Sequence, residues 1–166
     1  MPNRIQRILE SIKANAGIEI YKRVKETCGE SDVKAVLAQL ESTCEEKTVA
    51  QIMKPCGQQC IPKSNITLAK SVYSKAESIE DFLSMLNKTR IGGGNLLMKD
   101  GKIIGIYEKC YCGLAKKTKD LSPLFCYCSA GWYTQLFSSV FEKPVEVKKL
   151  RTILDGADKC EFEISY

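Results

Sequence analysis

The sequence predicts an α+β fold: a helical N-terminal half packed on a four-stranded, largely antiparallel sheet. Three observations lead there. Apolar residues recur at helical spacing through residues 1–90. From Gly92 the period shortens, and Asp100-Gly101 stands between two apolar runs as a two-residue hairpin signal. In the tail, Cys160, Phe162 and Ile164 alternate with Glu161 and Glu163, the pattern of a strand with one buried and one wet face. With 166 residues the chain can bury a core of its own, and it reads as a single domain, 1–166, with a helical part (1–90) and a sheet-containing part (91–166).

The elements follow in order. Ile5, Ile8, Leu9 and Ile12 mark the first helix, which Gly17 ends. A second covers Ile18–Cys28 and closes at Gly29. Ser31 is the expected cap of a third, whose stripe is Val33, Val36, Leu37 and Leu40. Helices are expected over 45–60, 64–75 and 78–90, with Pro55 kinking or breaking the first of these just before Cys56. Gly92-Gly93-Gly94 reads as a connector; it lacks the lysine and hydroxyl of a phosphate-binding loop. Strands over 95–99 and 102–108 form the hairpin, and 110–123 reads as a loop. A helix over 129–141 carries Tyr133, Leu136, Phe137 and Val140 on one side. Pro144 opens a strand with Val145 and Val147 on one face, and the glycine turn at Gly156 leads to the last strand.

The chemistry points to sulfur. There are nine cysteines and no histidine, and six of the cysteines form three close pairs. Cys56 and Cys60 have the i, i+4 spacing of one helix face. Cys110 with Cys112, and Cys126 with Cys128, have the i, i+2 spacing of one face of an extended segment. Converging pairs would make a thiolate site suited to zinc or, alternatively, to an iron–sulfur cluster. The expected arrangement has Cys56 and Cys60 meeting Cys126 and Cys128, with Cys110 and Cys112 completing or replacing a pair. Redox-active thiols are the competing reading. Cys28 and Cys44, at predicted helix ends, are expected to be core or surface thiols, and Cys160, facing the core in the last strand, to pack as a small hydrophobe.

Charge and compartment narrow the partners. The net charge of +5 comes from residues 51–120, with 12 basic and 6 acidic side chains, and includes Lys116, Lys117 and Lys119 after Cys112. This surplus is diffuse rather than a clustered stripe, so no nucleic-acid partner is expected. Met1-Pro2-Asn3-Arg4 runs into a charged amphipathic stretch rather than an apolar leader, and the cysteine count is odd. A reducing, cytoplasmic location follows. No apolar run approaches the ~20 residues of a membrane span.

The tail carries a resemblance. Ala130-Gly131-Trp132, Pro144-Val145-Glu146-Val147 and the run Asp155-Gly156-Ala157-Asp158-Lys159-Cys160-Glu161-Phe162 resemble the C-terminal half of the vinyl-4-reductase-type, or hydrocarbon-binding, domains, over roughly residues 90–166. That resemblance implies an α+β fold shared with haem-based nitric-oxide sensors and a vesicle-tethering subunit, with a ligand pocket between helices and sheet. It implies binding rather than catalysis, with Trp132, Tyr133, Phe137 and Phe141 as pocket lining for a small apolar or aromatic ligand. Cys160 matches the family's terminal cysteine, whereas Leu150-Arg151-Thr152-Ile153 stands where the family often has another. Histidine-ligated haem is excluded, because the chain has no histidine. Folds of this type often form homodimers, and the first helix could supply the interface. In size and helix-then-sheet layout the chain is also similar to the aminothiazoline-carboxylate hydrolase type. The expected function is therefore a small-molecule-binding or sensing protein with a cysteine-ligated metal, or alternatively a cysteine-dependent hydrolase of small cyclic amino-acid derivatives or a thiol redox enzyme.

Overall fold

A computed structural model describes residues 3–29 and 32–166. Helix α1 (Arg4–Asn15) starts at Asn3, whose side chain accepts from Gln6 N while the Gln6 side chain accepts from Asn3 N. Gly17 and Gly29, at φ 89° and 67°, bound α2 (Ile18–Cys28). Asp32 caps α3 (Val33–Thr43) by accepting from Lys34 N and Ala35 N. Ser31, the expected cap, lies outside the described residues.

Helix α4 spans Glu46–Gln58 and continues through Pro55, so of the expected kink or break the break does not occur. The hydrogen bond that Pro55 cannot make belongs to the carbonyl of Gln51, a residue exposed to solvent. Then come α5 (Lys63–Tyr73) and α6 (Ile79–Lys88), the latter capped by Ser78 on Asp81 N. The hairpin has β1 (Leu96–Lys99) and β2 (Lys102–Tyr107) joined by Asp100 and Gly101 at φ 52° and 75°. The expected loop over 110–123 contains a short helix, α7 (Gly113–Lys117), anchored by buried Ala115. Helix α8 (Tyr127–Phe141) precedes β3 (Glu146–Arg151) and β4 (Cys160–Ser165).

The sheet is four-stranded and antiparallel throughout, in the order β1-β2-β4-β3. Its inner face packs on α8. There Gly105 is obligatory, because a Cβ would stand 2.6 Å from the Tyr133 ring. The Tyr133 hydroxyl, buried, donates to Gly92 O at 2.7 Å. On the outer face Glu163 pairs with Lys102, and Glu161 with Arg151 and Lys159.

The apolar interior forms two clusters. One gathers α1–α4 with Ala115, Leu121, Phe125 and Cys128. The other gathers α5, α6, α8 and the sheet, including Cys160. Helices α4 and α8 join the two. A methyl on Gly57 of α4 would overlap the carbonyl oxygen of Cys128 and reach 2.9 Å from Trp132 N. A methyl on Gly131 of α8 would overlap the Lys54 carbonyl and reach 2.7 Å from its Cα. The helices therefore touch backbone to backbone, a separation only glycine permits. Among the described residues no helix is long and apolar enough to cross a membrane.

Candidate functional site

A cavity of about 440 Å³ opens between the two clusters. Six cysteines line it: Cys60, Cys110, Cys112, Cys126, Cys128 and Cys160. Trp132, Tyr107, Tyr111 and Phe125 supply aromatic wall, and Arg4 and Arg90 supply positive charge. Its volume falls within the roughly 300–1,000 Å³ of small-molecule pockets.

Helix α1 docks on α4 through the Ser11 hydroxyl, which donates to Ile52 O at 2.6 Å in the interior. That docking lays Arg4 and Arg7, three residues apart on one helix face, over the C-terminal end of α4. The Arg4 guanidinium then forks: Nη1 donates to Cys112 Sγ at 2.8 Å and Nη2 to Cys60 Sγ at 3.2 Å. Arg7 Nη1 stands 3.8 Å from the same Cys60 sulfur. Cys128 completes the group: it lines the same wall, and its backbone meets Gly57, whose carbonyl accepts from the Cys60 N–H.

Cys60 sits just past the end of α4, with its N–H bonded to Gly57 O at 2.9 Å. A helix C-terminus disfavours negative charge. Its neighbours prevail over that bias. The hydrogen bond from Cys128 and, against some burial, the Arg4 charge lower the Cys60 thiol to about 5. The proton stays on Cys128, whose own pKa rises well above the ordinary range through the same hydrogen bond and its burial. Cys60 is therefore the thiolate of the cavity at neutral pH.

The remaining sulfurs differ. Burial pushes Cys126 up to about 12, with Cys160 and Cys110 adding to the rise. Burial also raises Cys160, whose Sγ accepts from Ile153 N at 3.3 Å. The cavity thus has one corner formed by Cys60, Cys112, Cys128 and Arg4 and another formed by Cys110, Cys126 and Cys160.

Several expectations need correction. Cys56 and Cys60 do not share a helix face, because α4 ends at Gln58 and the i, i+4 register ends with it. Cys56 is buried inside the N-terminal cluster, donates to Ile52 O at 3.5 Å, and has its pKa raised to about 11 by burial. Cys126 and Cys128 are not on an extended segment: Cys126 ends a 3₁₀ turn and Cys128 lies in α8. A helical step of two residues turns side chains apart, which is why they serve opposite corners. Cys110 and Cys112 do lie in non-helical chain, and both reach the cavity. Cys160 packs, as expected, and also lines the cavity. Among the described residues no three Cys, Asp or Glu side chains are set as a metal-holding group.

Of the four aromatic candidates only Trp132 lines the cavity. Tyr133 and Phe137, one helical turn apart, face the sheet and are fully buried. Phe141 stacks on Phe137 and meets the Tyr166 ring at a tilt, at the rim of that core. Sequence reasoning missed Arg4, Tyr107, Tyr111 and Phe125 as lining, and Gly57 and Gly131 as the contact that seats Cys128 beside the end of α4. A glycine inside each of two helix-period runs was the available signal.

Residues 3–166 match a family of unknown function, DUF6144. No curated protein matches the chain. The match takes in both the helical half and the tail, and with them every residue described for the cavity. This chain belongs to the DUF6144 family.

Proposed function

We propose that the protein binds a small molecule in the thiol-lined cavity and reacts with it through the Cys60 thiolate. The observation that carries this reading is the Arg4 fork, which holds two sulfurs at 2.8 and 3.2 Å on the cavity wall. A guanidinium beside a thiol favours its charged, nucleophilic form. Trp132, Tyr107, Tyr111 and Phe125 suit a ligand with apolar or aromatic character. Sub-stoichiometric iodoacetamide at pH 6, followed by peptide mapping, tests it. Cys60 should carry most of the label, and Cys60→Ser should remove the fast phase. Label spread evenly over the nine cysteines, or concentrated elsewhere, would overturn it.

The gathering of Cys110, Cys126 and Cys160 on one side of the wall favours a second reading, in which they hold a soft metal such as zinc, or part of an iron–sulfur cluster. The three sulfurs would have to draw together to do so. Elemental analysis and an absorption spectrum of protein prepared without oxygen decide it: about one metal per chain supports the reading, and none rejects it.

A further inference from the structure

The wall of the cavity holds cysteines, arginines, tyrosines and neutral side chains, but no aspartate and no glutamate. The whole sequence has no histidine. Hydrolysis through a cysteine forms an acyl- or alkyl-enzyme that a base-activated water must then release. Among the described residues the wall supplies no such base. It also supplies no carboxylic acid or imidazolium to protonate a poor leaving group. Chemistry at Cys60 is thereby restricted to reactions whose leaving group departs as a stable anion and whose second step needs another thiol.

Resting on the reading of Cys60 as the reacting group, we propose that Cys60 and Cys128 form a redox couple that reduces a small-molecule disulfide. In the first step the Cys60 sulfur attacks one sulfur of the disulfide R–S–S–R. A Cys60–S–S–R bond forms, the R–S–S–R bond breaks, and one RS⁻ leaves with the electron pair. In the second step the Cys128 sulfur attacks Cys60 Sγ. A Cys60–Cys128 disulfide forms, the second RS⁻ leaves, and the Cys128 proton passes to solvent or to a departing thiolate. The substrate gains two electrons and the pair loses two. A thiolate needs no acid catalyst to leave, which suits this wall.

Geometry assigns the roles. Cys60 is half-buried at the cavity wall, so an incoming disulfide can reach it, whereas Cys128 is only 8% exposed and shielded until the mixed disulfide forms. The Gly57 contact on the backbone of Cys128 fixes the two segments against each other, so Cys128 is held beside the end of α4 before Cys60 reacts. Arg4 acts as a positioning residue. It spans Cys60 and Cys112, holding Cys112 to the guanidinium and leaving Cys128, on the backbone that Gly57 meets, as the partner of Cys60.

The test uses the full chain, reduced, with 4,4′-dithiodipyridine at pH 5.5, and follows thiopyridone release by absorbance. Two equivalents should be released in a fast phase, and peptide mapping should find a Cys60–Cys128 disulfide. Cys128→Ser should release one equivalent and leave a stable mixed disulfide on Cys60. Cys128→Ala is the second variant, and a circular dichroism spectrum and melting curve establish that each variant is folded. Fast release of one equivalent by the unsubstituted protein, with the mixed disulfide persisting, would overturn the couple while leaving the reactive Cys60 intact. A Cys60–Cys112 disulfide would overturn it as well. No fast phase at all would sink both the couple and the reading beneath it.

Discussion

Replacing Gly57 with alanine puts the junction of the two clusters under direct test. Alanine is the better helix former by about 0.8–1.0 kcal/mol, so at a free helix surface Gly57→Ala should stabilise. Here the added carbon would overlap the Cys128 carbonyl oxygen and stand 2.9 Å from Trp132 N. Gly131→Ala meets Lys54 in the same way, at 2.7 Å from Cα. Ordinary carbon contacts lie at about 3.5–4.0 Å, so α4 and α8 must part by about 1 Å or more. The obstacle is backbone on both sides, with no flexible side chain to move aside. Overpacking of this kind costs about 1–3 kcal/mol and sometimes more. We expect each variant to be destabilised by about 2 kcal/mol after the propensity gain, a fall in Tm of about 4–8 °C for a chain of this size. Urea unfolding and calorimetry measure it. The double variant should fall short of the sum, because helices already parted by one methyl admit the second. Either single alanine raising Tm would refute the backbone contact and, with it, the explanation of how Cys128 comes to sit against Cys60.

Arg4→Ala should raise the pH midpoint of Cys60 reactivity by about 1–3, as expected for losing an adjacent opposite charge, with Arg4→Lys falling between the two; a pH–rate profile for each variant checks this. Stability should rise with pH between about 5 and 9. In that window the folded chain holds Cys60 deprotonated while the unfolded chain, with a thiol near 9.0, still binds the proton. Above 9 the sign reverses, because Cys56 and Cys126 keep their protons to about 11 and 12 when folded and lose them when unfolded. No histidine titrates between, so Cys60→Ser should flatten the rise, which melting temperatures across pH will show. Tyr133→Phe leaves the Gly92 carbonyl without its buried donor and should cost about 1–3 kcal/mol, read by chemical denaturation.

Much of the fold was legible because local signals agreed with the tertiary outcome. Gly17 and Gly29 bound α2, Asp100-Gly101 makes the hairpin turn, and the Cys160–Ile164 alternation gives the last strand its buried face. Pro55 does not break α4, and whether a helix runs through a proline depends on the surroundings of the orphaned carbonyl, a tertiary property. The site was legible only in kind. Paired cysteines announced a sulfur-rich centre, and five of the six reach it. Which of them face one another depends on a helix ending at Gln58 and on a 3₁₀ turn entering α8, shifts of a residue or two that periodicity does not resolve. Arg4 lies 56 and 108 residues away from the cysteines it holds, and no local pattern connects them.

The most direct test of the account is the rate at which Cys60 reacts with a small disulfide as a function of pH. With a pKa of about 5 against 9.0 for an ordinary thiol, Cys60 is about three-quarters thiolate at pH 5.5, roughly 2,400 times the ordinary fraction. Its lower basicity reduces intrinsic nucleophilicity by about 40–100-fold, leaving an advantage of roughly 25–60-fold at pH 5.5 that shrinks to about 1–2.5-fold at pH 7. The account predicts one thiol, mapped to Cys60, with a midpoint near pH 5 and a clear lead over all others in mild acid. A midpoint at pH 8–9, or no thiol that stands apart at pH 5.5, would contradict it.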